Sequence, residues 1–210
     1  MDNYFIKQGY RINEIPSFYN DSLEDSEYYQ LEVYEYIATL FQQHRISSVL
    51  DIGCGLATKL RDYILPHCSN ITGIDSEHAI PQCRELYDFG SWQIADLENR
   101  NYTLPGSYDL IICADVIEHI KDPDNLLRII KSGAHSEGLI VLSTPERDLR
   151  RGLDCNGPPQ NTAHVREWNE NEFRAYLSAR GFNIEHYDIV HLCKDMKTCQ
   201  LVMGRFSREC

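Results

Sequence analysis

The run Val49-Leu50-Asp51-Ile52-Gly53-Cys54-Gly55 constrains this chain more than any other feature. A short apolar stretch ends at two glycines, as a buried parallel strand does. Glycines at that spacing let the backbone turn tightly and come close to a ligand. Four more apolar runs read as strands: ITGID (71–75), SWQIADL (91–97), YDLIICAD (108–115) and GLIVLSTP (138–145). Helical stretches separate most of them: ATKLRDYILP (57–66), SEHAIPQCRELYD (76–88) and DPDNLLRIIKSG (122–133). In the last of these Asp122 suits the N-cap, Pro123 the first helical position and Gly133 the C-terminal stop. NENEFRAYLSARGF (169–182) predicts another helix. NIEHYDIV (183–190) and TCQLVMGRF (198–206) predict a terminal antiparallel pair. The sum is an α/β fold, a mostly parallel seven-stranded sheet with helices on both faces. Ligands of such sheets bind at the C-terminal strand ends.

Leu31, Tyr34, Ile37, Ala38 and Phe41 recur at helical spacing, so residues 22–44 predict one helix. Residues 1–46 are expected as an N-terminal helical extension or lid. Residues 47–210 are expected as the ligand-binding domain, the whole forming one compact unit. Charge narrows the partners. The formal net charge is -12, and the first 44 residues carry half of it, eight acids against two bases. Such a chain repels nucleic acid and anionic membranes. No apolar run reaches the roughly 18 residues of a membrane span. MDNYFIKQGYRINE has no apolar core of a secretion signal, so a cytoplasmic protein with reduced thiols is expected. The eight cysteines (54, 68, 83, 113, 155, 193, 199 and 210) form no C-x-x-C pair, which argues against a thiolate zinc site.

Three acids fall at strand ends. Asp75 follows Gly55 by twenty residues, where a carboxylate can accept both hydroxyls of a ribose. Asp96 could meet an adenine edge, with Ser76 and Leu97 beside these two. Thr58 stands where a dinucleotide fingerprint needs its third glycine, and Asp51 would repel a pyrophosphate. A cationic ligand suits Asp51 better.

VLDIGCG, GID (73–75), AD (95–96), ICADVIEH (112–119) and LSTP (142–145) together resemble the class I S-adenosylmethionine-dependent methyltransferases, which are Rossmann-like. The resemblance covers roughly residues 47–145. It implies S-adenosylmethionine as cofactor, with Asp51, Gly53, Gly55, Asp75 and Asp96 in its pocket and Ala114 and Asp115 near the methyl donor. It also implies a lid before the first strand, using Tyr10, Tyr29 or Gln30.

Methylating a hydroxyl needs a destination for its proton, through a general base or a divalent metal. If a helix begins at Asp115, then Asp115, Glu118 and His119 share one face. His164 follows later in HVREW (164–168). The set resembles the ubiquinone-biosynthesis O-methyltransferases and the small-RNA 2′-O-methyltransferases. By that resemblance Asp115, Glu118, His119 and His164 hold a divalent metal (Mg, Mn or Zn). Asp replaces the RNA enzymes' Glu at the first of these. The alternatives are a metal-free base, with His119, His164 or Asp115 catalytic, and a structural role in which Asp115 and Glu118 form a capping box.

The 146–168 connection is long and neutral, with four basic and four acidic residues. Arg147, Arg151 and Arg166 are expected to clamp an acceptor's oxyanion. The bland alternative is a solvated loop of weak ion pairs. This segment, the GY…YQ-x-EVY opening and the KDMKTCQLV ending resemble bacterial methyltransferases encoded near glycosyltransferase and natural-product genes. The expected activity is O-methylation of a small-molecule, sugar or natural-product hydroxyl, by a monomer or homodimer. A carboxyl O- or N-methyltransferase of a small acid or peptide, an RNA 2′-O-methyltransferase, and a non-catalytic cofactor-binding subunit are the rivals.

Overall fold

The computed structural model describes residues 3–19, 22–104 and 106–207. Its seven strands are β1 (Val49–Ile52), β2 (Ile71–Asp75), β3 (Ser91–Ile94), β4 (Tyr108–Ala114), β5 (Ala134–Pro145), β6 (Phe182–Val190) and β7 (Cys199–Phe206). They form one sheet in the order β3-β2-β1-β4-β5-β7-β6. The first five run parallel, and β7 pairs antiparallel with both β5 and β6. Strand order reverses between β1 and β4, which opens a crevice above their C-terminal ends.

Strand alternation divides the core between the two faces. On β4, Leu110, Ile112 and Ala114 join one apolar cluster, while Ile111 and Cys113 join the other. The first cluster takes in Val33, Tyr34, Ile37 and Leu40 of helix α2 (Leu31–Gln43), so α2 is part of the core. The second is closed by Leu126 and Ile130 of α4 (Pro123–Gly133) and by Phe173, Tyr176 and Leu177 of α6 (Glu170–Ala179). Helix α3 (Ala79–Leu86) covers the β2–β3 edge. Asp122 caps α4 with Pro123 at its start, as the sequence predicts. At α6, Asn169 and Glu172 form a capping box.

Three local readings change. The helix expected over residues 22–44 is two, α1 (Leu23–Tyr28) and α2. Gln30 breaks it with φ 66, and its N–H donates to Leu192 O at 2.8 Å. A partner 162 residues away offsets a left-handed backbone that local pattern cannot foresee. The helix after the glycine loop widens to a π-type turn over Leu60–Ile64, where Leu65 N bonds Leu60 O. The 146–168 connection is no open loop: it begins with a short helix, α5 (Arg147–Arg151). Cysteines 54, 68, 83, 113, 155, 193 and 199 are all free thiols, and Cys210 lies outside the described residues. No helix among the described residues is long and apolar enough to cross a membrane.

Candidate active site

The glycine loop leaves β1 through Gly53 (φ 73) and Gly55 (φ 52). Gly53 has no room for a side chain, because an added Cβ would sit 2.3 Å from Val116 Cγ2. Asp75 braces the loop from below: its Oδ2 accepts from Gly55 N at 2.9 Å, and its Oδ1 accepts from Ser76 N. Over these strand ends lies a cavity of about 440 Å³. Of the residues expected to bind the cofactor, Gly53, Gly55, Asp75, Ser76, Asp96, Leu97, Ala114 and Gln30 line it.

Asp51 and Tyr10 stand elsewhere. Asp51 is only 1% exposed and sits behind the wall. Its Oδ2 accepts from Tyr34 OH at 2.8 Å, and Oδ1 is buried without a partner. Burial outweighs the Tyr34 bond and nearby Lys59 and pushes the carboxyl up to about 7. Tyr10 packs under the 146–168 segment, its hydroxyl accepting from Glu167 N at 3.1 Å and its ring 5.3 Å from the Arg147 guanidinium. Burial there pushes its phenol up to about 12. Tyr29, also expected in the lid, lines the cavity together with Phe18 and Tyr19. Asn13 N to Val165 O (2.8 Å) and Ser17 N to Thr162 O (2.9 Å) stitch this strap down.

A second cavity of about 240 Å³ adjoins the first, sharing Tyr19, Asp25, Tyr29, Gln30, Asp115 and His119. It adds Glu118, His164, Asn161 and Arg150, with Pro145 and Leu192. Asp115 sits on the seam. Its φ is 52, a strained value for a residue with a Cβ. Its Oδ1 accepts from Ser143 Oγ at 2.7 Å. The helix start expected at Asp115 is absent: a 3₁₀ turn spans Ile117–His119 and has no side-chain cap, so the capping box does not form.

Glu118 is fully buried. Its Oε2 accepts from Thr144 Oγ1 at 2.9 Å, and Oε1 has no partner. Burial, then the Asp115 charge, push this carboxyl well above the usual range. His119 Nδ1 meets Ala163 O at 3.0 Å, and burial followed by His164 pushes the imidazole down to about 4. His164 Nδ1 meets Glu167 Oε1 at 2.8 Å. Asn161 Oδ1 accepts from Ala163 N, which turns its Nδ2 toward His164 Nε2 at 2.9 Å. One ligand atom each from Glu118, His119 and His164 lies within 4.8 Å of the others. Asp115 stands outside that set, its carboxylate held toward Ser143.

The expected arginine clamp is not assembled. Arg147 is fully buried and binds Glu172 at two points (2.5 and 3.0 Å) and Asp148 at 2.8 Å. Arg166 is buried and donates to Ile120 O (2.7 Å) and Lys121 O (2.9 Å). Arg151 turns to Gln160 and Glu167. The arginine in the cavity wall is Arg150.

The sequence profile of a family described as a methyltransferase domain matches residues 26–187. The chain belongs to that methyltransferase family. A ubiquinone biosynthesis O-methyltransferase of Pseudomonas aeruginosa (strain UCBPP-PA14) is 30% identical over 110 residues, 50% of this chain and 47% of that protein. The chain thus spans about half the length of the curated relatives it matches. Among solved structures, a S-adenosylmethionine-dependent methyltransferase from Clostridium acetobutylicum superimposes with TM-score 0.66 at 13% identity, covering 83% of this chain and 91% of that one. The N-methyltransferase NodS from Bradyrhizobium japonicum WM9, solved with S-adenosyl-L-homocysteine, gives TM-score 0.64 at 18% identity, covering 84% and 87%. The fold is the class I, Rossmann-like one.

Proposed function

We propose that this methyltransferase acts on a hydroxyl of a small molecule, sugar or natural product, assisted by a divalent cation held by Glu118, His119 and His164. The observation that carries the reading is the three-ligand cluster in the smaller cavity, whose His119 also lines the larger one. Its chemistry fits a cation. Glu118 Oε1 is buried and unpartnered, a costly state that a cation would relieve. His119 turns Nδ1 to Ala163 O, which leaves its Nε2 lone pair for a ligand, and His164 Nε2 would exchange its bond from Asn161 Nδ2 for the cation. His119 titrates too low to be an efficient base near neutral pH, yet coordination needs the neutral ring.

The larger cavity fits the methyl donor. Gly53 and Gly55 permit close backbone approach, Asp75 and Ser76 would take the ribose, and Asp96 and Leu97 the adenine, all from the lining of this cavity. Asp51, with Tyr34 and its unpartnered Oδ1, sets negative charge behind the cationic methionyl end. When bound, S-adenosylmethionine supplies an electrophilic methyl, and the cation would lower the pKa of the acceptor hydroxyl. The acceptor oxygen forms the new C–O bond, the C–S electron pair returns to sulfur, and the hydroxyl proton leaves. Asp115, on the seam with Oδ1 anchored by Ser143, is placed to take that proton on Oδ2. The carboxyl and N-methylation alternative loses two of its three arginines to the interior. Calorimetric titration of Mn²⁺ into the protein loaded with S-adenosylhomocysteine tests the cluster. One equivalent should bind, and H119A and H164A should each weaken it at least tenfold. No binding by wild type would contradict the cation.

A further inference from the structure

The smaller cavity is lined by side chains of both charges. Asp25 and Asp115 line both cavities, and Glu118 lines the smaller one. Arg150, Asn161 and His164 of the 146–168 segment also line it. Arg150 and Arg151 share a single carboxylate, Glu167, at 4.0 and 3.7 Å. Both contacts are too long for hydrogen bonds. Glu167 Oε1 is already engaged with His164 at 2.8 Å. Two guanidinium charges against one carboxylate leave a positive excess, and the side chains are only 16% and 14% exposed. Solvent therefore screens that excess weakly. Among the described residues the Arg150 guanidinium makes no hydrogen bond, and Arg151 Nε is buried without one. A guanidinium presents five donors in a planar fork that matches a planar or tetrahedral oxyanion.

We infer that Arg150 receives an oxyanion of the acceptor, a carboxylate or phosphate. The acceptor is then a hydroxy acid, with its acidic group at Arg150 and its methylated hydroxyl toward Asp115 and His119. The inference rests on the hydroxyl reading above. It also explains how an acid-rich seam in a chain of net charge -12 could hold an anionic acceptor: the one arginine in the wall orients it.

The test is methyl transfer from labelled S-adenosylmethionine into a small-molecule extract of the source cells. Products are sorted on an anion exchanger and then exposed to alkali. The expected label is alkali-stable and retained, and phosphatase treatment separates phosphate from carboxylate. R150Q should lower that label at least tenfold and R150K should fall between. Binding of S-adenosylhomocysteine by each variant reports that it has folded. Alkali-stable label that passes unretained, or retained label that R150Q leaves intact, overturns the assignment of Arg150 while hydroxyl methylation stands. Alkali-labile label is a methyl ester and overturns the hydroxyl reading itself.

Discussion

The rings of His119 and His164 meet edge to face, centroids 4.7 Å apart and planes at 88°. Each is anchored through Nδ1 to a different oxygen, Ala163 O and Glu167 Oε1. Two rings from segments 45 residues apart in sequence are thereby fixed beside the same buried carboxyl, Glu118. The pair also has a stability signature. Burial holds His119 at about 4, below the 6.5 of an ordinary imidazole. Between those values the unfolded chain takes up a proton that the folded chain refuses, so stability falls as pH drops from about 6.5 to about 4. H119N keeps an amide donor toward Ala163 and cannot titrate. Its melting temperature should fall less steeply over that window than wild type, the difference reaching roughly 3 kcal/mol at the limit. Parallel melting curves would mean that His119 is not buried neutral.

Asp51 has the opposite sign. Its carboxyl is pushed up to about 7 from 3.8, so the folded chain keeps a proton that the unfolded chain has lost. Stability from this group therefore falls as pH rises from about 4 to 7. D51N retains an acceptor for Tyr34 and removes the charge. Without ligand it should melt a few degrees higher than wild type at pH 8. It should also bind S-adenosylmethionine at least tenfold more weakly, since the sulfonium and ammonium lose their counter-charge. Calorimetry at pH 8 reads both effects. Unchanged affinity would remove Asp51 from donor binding.

Gly53 and Val116 are coupled by contact. G53A places a Cβ on Val116 Cγ2 and forces a side chain into φ 73. The contact and the backbone strain together should cost about 2–4 kcal/mol. V116A in the same chain should recover the contact part and leave about 1–2 kcal/mol of backbone cost. Urea denaturation of the four proteins of the cycle measures the coupling, and simple additivity would show that the loop relaxes freely.

Arg147 should behave as a structural residue. Removing it leaves Glu172 and Asp148 with an uncompensated charge in a buried site, and R147A should lose about 3–5 kcal/mol. Acceptor KM in the surviving folded fraction should stay near wild type. A large rise in KM without loss of stability would return Arg147 to the acceptor site.

The contrast between Arg147 and Arg150 shows where the sequence stops being legible. The strand-glycine order, the Asp75 position and the Asp122 cap are written in local pattern and stand as read, while β3 ends at Ile94 and leaves Asp96 just beyond it. The Glu118, His119 and His164 grouping was also legible, through the resemblance of spaced motifs. The arginines were not. Arg147 and Arg150 are three apart and share a helix face, so local pattern cannot separate them; Arg147 is drawn inward by Glu172 and Tyr10, which sit far away in sequence. Asp115 misled for a related reason. An i, i+3, i+4 face exists only if a helix starts there, and a left-handed residue held by Ser143 starts none.

The most direct measurement is methyl transfer into the small-molecule extract with the protein stripped by a strong chelator and then reloaded. Turnover should fall at least a hundredfold on stripping and return with Mg²⁺ or Mn²⁺ in wild type, while E118Q should need far more cation for the same recovery. The label should remain stable to alkali as an ether. Full turnover in the stripped protein would contradict a cation held by Glu118, His119 and His164, and would leave proton removal to the histidines or Asp115 alone.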